Sequence, residues 1–314
     1  MFRGSYYFLF ALIAVLLLGL LLGGGDGAGD SSKTLPLLPE EVAARLDALT
    51  TVSISGPASS VTLQRQEDRW VVVERANYVA NQQQVQRLLR DLRDARRLEE
   101  KTRKPENFAR LGVAANGIQL AIADTTLLFG QQASGRGGRY VRYLNTDDEN
   151  QVWLQSAPLS QLAVDPAVWL QPNVIDIEST NVQRVAILQG EESLQVERTT
   201  TGEVLVVGVA EEQLRYAGIA DSVLNLLSGV KLEDVLPRGE LDFDGAIEVS
   251  VTLTDDAKVD LRLLEHDGAF WLAVDSERAE DKYLQSWVFK ISRLNYDNMT
   301  KTKSSLLKAE DNDL

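Results

Sequence analysis

The sequence predicts an α+β protein: a single N-terminal transmembrane helix, then two tandem copies of a mainly antiparallel sheet with a packed helix. Three observations predict it. Tyr6 to Leu22, YYFLFALIAVLLLGLLL, is a run of 17 residues without a charge, the short end of a membrane span. Beyond it, short segments of period-two alternation succeed one another, as half-buried strands do. One succession of strands, helix and strands is written twice. Runs of strands broken by one helix per copy point to α+β rather than a doubly wound sheet. Hairpin turns between them point to antiparallel pairing.

Arg3 precedes the apolar run and no Lys or Arg follows it in GGGDGAGD, 23–30, so the charge bias puts the N-terminus in the cytoplasm. Tyr6, Tyr7 and Phe8 suit the interfacial belt. The rival reading is a signal peptide cut near Gly25. Residues 1–25 are therefore read as the anchor, and 26–48 as linker and short helix. Gly, Asp and Ser make the linker flexible, Pro36 and Pro39 stiffen it, and a helix is expected over Glu40 to Leu49.

The first copy, 49–177, opens with TVSISG (51–56), SVTLQRQ (60–66) and RWVVVE (69–74) as strands. Asn81 offers an N-cap, and Val85, Leu88, Leu89 and Leu92 come after it at helical spacing, so a helix is expected from Asn81 to about Leu98. A short helical turn begins at Pro105. GIQLAIAD (117–124), TTLLFG (125–130), GRYVRYL (138–144) and QVWLQS (151–156) complete the strands, and a linking helix is expected over Leu159 to Leu170.

The second copy, 178–300, runs through NVQRVAILQG (181–190), SLQVERT (193–199) and EVLVVGV (203–209) to a helix at 216–230. AIEVSVTLTD, KVDLRLLEHDG and AFWLAVDS are the next strands, then a closing helix from Tyr283 to Met299. Val52 and Val185, Trp70 and Val204, Leu88 and Leu226, and Ile118 and Ile247 lie 129 to 138 residues apart, a spacing near enough to constant for a duplication. Residues 301–314 read as a polar, disordered tail.

Among 314 residues, 46 Asp and Glu against 32 Lys and Arg give a net charge of −14. That balance argues against nucleic acid, which needs a basic footprint, and against lying flat on anionic lipid. The chain has no cysteine. Disulfides, thiolate metal sites and cysteine nucleophiles are excluded.

Candidate chemistry is sparse. The one histidine, His266, stands in EHDGAF, where HDG between two apolar runs is turn chemistry. The acidic stretches 145–150, 240–245 and 253–258 do not match the spaced pattern of an EF-hand loop and read as turns. ASGRGGRY, 133–140, lacks the phosphate-loop pattern and reads as a basic hairpin tip carrying Arg136 and Arg139. Trp153, Trp169, Trp271 and Trp287 sit in apolar segments, where core packing is the default over a sugar-stacking platform. Arg87, Arg90, Arg93 and Arg97 share one face of the expected helix. That face and the tip with Arg136 and Arg139 are the candidate partner-docking residues. No catalytic residue, cofactor site or metal site is named.

The stretch VSISGPASSVTLQRQEDRWVVVERANYVANQQQVQRLLRDL resembles the opening of a bacterial family, domain of unknown function 4340. The match lies in a strand pair, a Trp-bearing strand, a Tyr before an Ala-Asn step and a Leu-rich helix. FARLGV, 108–113, resembles the family's aryl-x-x-Leu-Gly turn, and the segments from IQLAIAD through VWLQ resemble the family's next hairpins. The likeness covers roughly 49–170; the second copy is weaker, with no Trp at Val204 and no Leu-Gly turn. The resemblance implies a membrane-anchored envelope protein, often encoded beside ABC transporter genes of the gliding-motility type. It supplies no catalytic residues.

The leading expectation is a non-enzymatic periplasmic accessory protein anchored in the inner membrane, partnering the permease and auxiliary subunits of such a transporter. The alternative is a periplasmic glycan- or lipid-binding module, which requires a concave pocket lined by aromatics and a few polar groups. A carboxylate-dependent hydrolase is the third reading and requires two converging acids with raised pKa values.

Overall fold

The computed structural model describes residues 34–134, 137–156, 159 and 162–308. The expected anchor at 6–22 lies outside these residues, and so does Arg136. Among the described residues no helix is long and apolar enough to cross a membrane. The strands fall into two antiparallel sheets accompanied by a few short helices, so the α+β, two-sheet expectation holds.

Leu35–Pro36 is a short strand, β1, and Glu40–Ala43 a single helical turn, α1. Leu37 and Leu38 between them are buried, so the last part of the presumed linker already belongs to the packed body. The Tyr143 hydroxyl donates to the Leu37 carbonyl, and burial pushes its pKa up to about 12. β2 (Thr51–Ser55), β3 (Ser60–Gln66) and β4 (Arg69–Val72) form a meander with Val52 opposite Leu63 and Leu63 opposite Val72. Val52, Ile54, Val61, Leu63 and Val72 are all 0% exposed, as their alternation requires. β5 (Tyr78–Val79) pairs with β4.

The helix α2 spans Gln82–Asp94, and its stripe Val85, Leu88, Leu89 and Leu92 is buried. It ends four residues before the expected Leu98. Arg96 stops it: its backbone N–H donates to Ser156 Oγ at 2.8 Å, and its guanidinium caps the Arg93 and Ala95 carbonyls. Arg96–Thr102 is instead a strand, β6. The FARLGV turn contains α3 (Phe108–Leu111) and closes on Gly112 at φ 72°. A side chain at Gly112 would meet Gln131 Cγ at 2.9 Å. The turn thereby seats Phe108 with Val113, Leu128 and Val152 in one buried cluster. β7 (Ile118–Ile122), β8 (Thr125–Gln132), β9 (Arg139–Leu144) and β10 (Val152–Gln155) then meander, and β10 returns to pair with β6. Of the helix expected over 159–170, residues 162–165 are not helical, Pro166–Trp169 is a 3₁₀ turn, and β11 (Asn173–Ile175) comes after it.

β12 (Val182–Gln189), β13 (Glu192–Arg198) and β14 (Val204–Val206) repeat the opening meander. The helix expected at 216–230 shrinks to α4 (Asp221–Leu224), because Gly218 and Gly229 both take positive φ. A strand, β15 (Val230–Pro237), begins at once. β16 (Ile247–Leu253), β17 (Lys258–His266) and β18 (Ala269–Ser276) match the expected strands. The closing helix at 283–299 divides into the end of a 3₁₀ turn, the strand β19 (Trp287–Ile291) and α5 (Arg293–Met299). The tail begins with α6 (Lys303–Leu306), whose Leu306 is buried, so its first part is packed rather than disordered.

A repeat-like arrangement is visible in strand order. β1-β6-β10-β9-β8-β7 matches β11-β15-β19-β18-β17-β16 strand for strand, and β2-β3-β4 matches β12-β13-β14. By contact density the chain divides into residues up to Ala48 with Leu88–Leu162, and Leu49–Arg87 with Ala163 onward.

Candidate binding cleft

Within the second of these units a cleft of about 900 Å³ opens. Its first wall is built by local sequence. Ala76 and Asn77 adopt left-handed backbone (φ 52° and 62°), which asparagine tolerates better than most residues, and the chain reverses there from β4 into β5. Gln82 then behaves like a strand residue. Its side-chain carbonyl accepts from the Trp70 N–H at 2.9 Å, and its amide donates to the Trp70 and Ala80 carbonyls at 2.9 and 2.8 Å. Asn81 Oδ1 accepts from the Gln84 N–H at 3.2 Å, the N-cap read from the sequence.

A strap at 169–173 forms the second wall. The Trp169 carbonyl accepts from the Asn81 N–H at 2.7 Å, and the Gln171 N–H donates to the Val79 carbonyl at 3.0 Å. Trp169 is fully buried and its indole N–H donates to the Ala163 carbonyl at 2.9 Å. Asp165 starts the 3₁₀ turn by accepting from the Ala167 N–H at 3.0 Å.

Tyr283 and Trp287 supply the third wall. Tyr78 lies edge-on to Trp287 at 5.0 Å and 88°, and to Phe289 at 6.2 Å and 73°, the arrangement aromatic quadrupoles favour. Trp287 is half-buried, Tyr283 exposed and Tyr78 buried. The Tyr78 hydroxyl has no hydrogen-bond partner among the described residues. Burial drives its pKa well above the ordinary tyrosine value, with a smaller push from Tyr283. Tyr283 is itself raised by burial and then by Asp281. Five lining amides, Gln66, Asn77, Gln83, Gln171 and Asn173, make no side-chain hydrogen bond among the described residues. Glu67 and Arg69 bring one charge of each sign.

The arginines named from the sequence do not share one helix face. Arg87 and Arg90 are exposed on α2 and make no ion pair among the described residues. Arg93 pairs with Asp47 at 2.8 Å. Arg97 has left the helix for β6, a correction that comes from the early stop at Arg96. Its Nε donates to the Pro36 carbonyl at 3.0 Å, and its guanidinium lies 4.8 Å from the Trp153 ring and 5.7 Å from the Tyr143 ring. Arg139 opens β9, and both it and Arg97 are in register with Gln155 of the intervening β10.

His266 is opposite Ala269, with Asp267 and Gly268 (φ 51° and 71°) as the two-residue turn expected of HDG. In the acidic stretch at 145–150, Asp148 pairs with Arg103 at 3.0 Å. Among the described residues no group of three or more His, Asp or Glu is placed to hold a metal ion. Of the four tryptophans weighed as a sugar-stacking platform, Trp153 and Trp169 are buried, Trp271 lies in β18 and Trp287 lines the cleft. The remaining cleft residues were not singled out by sequence reasoning. A signal existed: residues 77–84 hold five amides in eight positions.

No curated protein matches the chain, and no solved structure does either. A family model does match, over residues 70–246. The matched span begins at the Trp70 strand and takes in α2, the FARLGV turn and the strap, stopping just before β16. It covers more than half of the sequence, and the chain belongs to the family described as Domain of unknown function (DUF4340).

Proposed function

We propose that this protein is a non-enzymatic accessory protein of the cell envelope that acts by binding, as a partner of a gliding-type ABC transporter complex. Residues 6–22 anchor it in the inner membrane with the N-terminus cytoplasmic and the body periplasmic. The observation that carries binding over chemistry is the lining of the cleft. It combines five amides without side-chain partners among the described residues, aromatic rings and a single acid, Glu67, where glycoside hydrolysis would need two converging carboxylates. Family membership supports the envelope setting, through what the resemblance implies. The exposed Arg87 and Arg90 offer a face to an acidic partner.

A mild-detergent pull-down of the tagged full-length protein after crosslinking tests this reading. Stoichiometric recovery of an ATPase and a permease is expected. The double variant Arg87→Glu/Arg90→Glu should lower that recovery several-fold with an unchanged circular dichroism spectrum. Recovery of the protein alone, even after crosslinking, would overturn the partnership.

A further inference from the structure

We infer that the cleft lined by Tyr78, Tyr283 and Trp287 is a binding site for an uncharged, hydroxyl-rich ligand: a segment of neutral oligosaccharide. The inference goes beyond the transporter partnership and stands on the cleft alone. An amide presents donors and an acceptor on one flat group, and a hydroxyl both donates and accepts, so each complements the other. Five amides without internal partners face this one cleft. Charge is scarce in it: one acid and one base line the cleft in a chain that carries 46 acidic and 32 basic residues. A phosphate or acidic lipid would meet a lone Arg69, and a cation would meet a lone Glu67. An acyl chain would leave the amides unpaired, at about 1–3 kcal/mol for each one desolvated.

The aromatic groups complete the match. Trp287 and Tyr283 line the cleft with aromatic surface of the kind that meets the apolar C–H face of a sugar, and Tyr78 packs against Trp287 at 5.0 Å with the two rings nearly perpendicular. Tyr78 itself belongs to the wall of the cleft. Tyr78 is 1% exposed and its hydroxyl lacks a partner among the described residues. Buried polar groups of this kind are rare without a ligand or water to satisfy them. The cleft also falls within the volume range of small-molecule sites, about 300–1,000 Å³. A peptide added as a strand fits less well. On β5 the Val79 carbonyl already accepts from the Gln171 N–H, and Ala80 is bridged to Leu170.

The test uses full-length protein in a polyoxyethylene detergent, which carries no sugar headgroup. Oligosaccharides of glucose, mannose and N-acetylglucosamine are titrated by tryptophan fluorescence and calorimetry, beside polygalacturonate fragments and an extended neutral peptide. Saturable binding of at least one neutral oligosaccharide is expected. The exposed-site double variant Gln83→Ala/Asn173→Ala should weaken it about tenfold, the loss of two ordinary hydrogen bonds. Tyr78→Phe should weaken it several-fold without unfolding the protein. The double variant should leave the transporter pull-down unchanged, which separates failure of this site from failure of the partnership. No neutral oligosaccharide binding more tightly than about 10 mM would overturn the inference. So would tighter binding of the acidic oligosaccharide or the peptide, or affinity indifferent to both cleft variants.

Discussion

Replacing Trp169 by alanine is expected to destabilise the body by about 3–5 kcal/mol, a large share of the stability of an ordinary domain. Trp169 heads the fully buried side chains by volume. Its removal leaves a cavity and frees the Ala163 carbonyl from the indole N–H. The same residue holds the strap: its own carbonyl accepts from the Asn81 N–H, and Leu170 beside it bridges to Ala80. Urea denaturation followed by circular dichroism reads the loss. Trp169→Phe keeps most of the volume and should lose clearly less. A shift under about 1 kcal/mol for the alanine variant would mean that the indole is not packed as described.

The second large effect concerns Arg75 and Asp234. Arg75 Nε and Nη2 meet the two Asp234 oxygens at 2.6 and 3.0 Å, and Asp234 also accepts from the Val235 N–H at 2.9 Å. The side chains are 24% and 29% exposed. The hydrogen bond to Asp234 holds the Arg75 pKa above its ordinary value against the opposing pull of burial. Asp234→Ala strands a largely desolvated guanidinium and should cost about 2–4 kcal/mol. Arg75→Lys should recover little, because an ammonium cannot form the two-pronged contact. In the double variant Arg75→Met/Asp234→Leu the stranded charge is gone, so most of the single-variant loss should return. A double variant that loses as much as Arg75→Met and Asp234→Leu lose separately, added together, would show that the two side chains act independently.

Much of the fold was legible because burial and chain geometry agree locally. In β2, β3, β12, β16 and β17 the apolar residues alternate and one side of each strand is buried, so period two is plain in the sequence. Asn81 and the stripe from Val85 to Leu92 announce α2 in the same way. The failures are strands whose residues also suit helices. RRLEEKT of β6 carries strong helix formers and no apolar alternation. It is a strand because β1 and β10 pair with it on both sides, which no local rule anticipates. Leu284, Val288 and Ile291 fall at i, i+4 and i+7 and mimic a helix stripe, while WVFKI pairs with both β15 and β18. Leu226 and Leu227 are buried like Leu88 and Leu89, but glycines on either side restrict the helix to one turn.

The cleft was less legible for a different reason. Its walls come from 66–83, 171–173 and 283–287, segments far apart in sequence that only the tertiary fold collects. The arginines stood out because they are close in sequence, yet sequence proximity did not make them one surface. Arg93 is occupied by Asp47 and Arg97 by aromatic rings, which leaves Arg87 and Arg90 as the free part of the face.

Both the transporter partnership and the oligosaccharide site require the body to stand outside the inner membrane. Protease accessibility in spheroplasts of the native host measures this directly, with a C-terminal tag to track the chain. Digestion of the body while the inner membrane is intact, with the N-terminal residues protected, is the predicted result. Protection of the body until the inner membrane is lysed would contradict it.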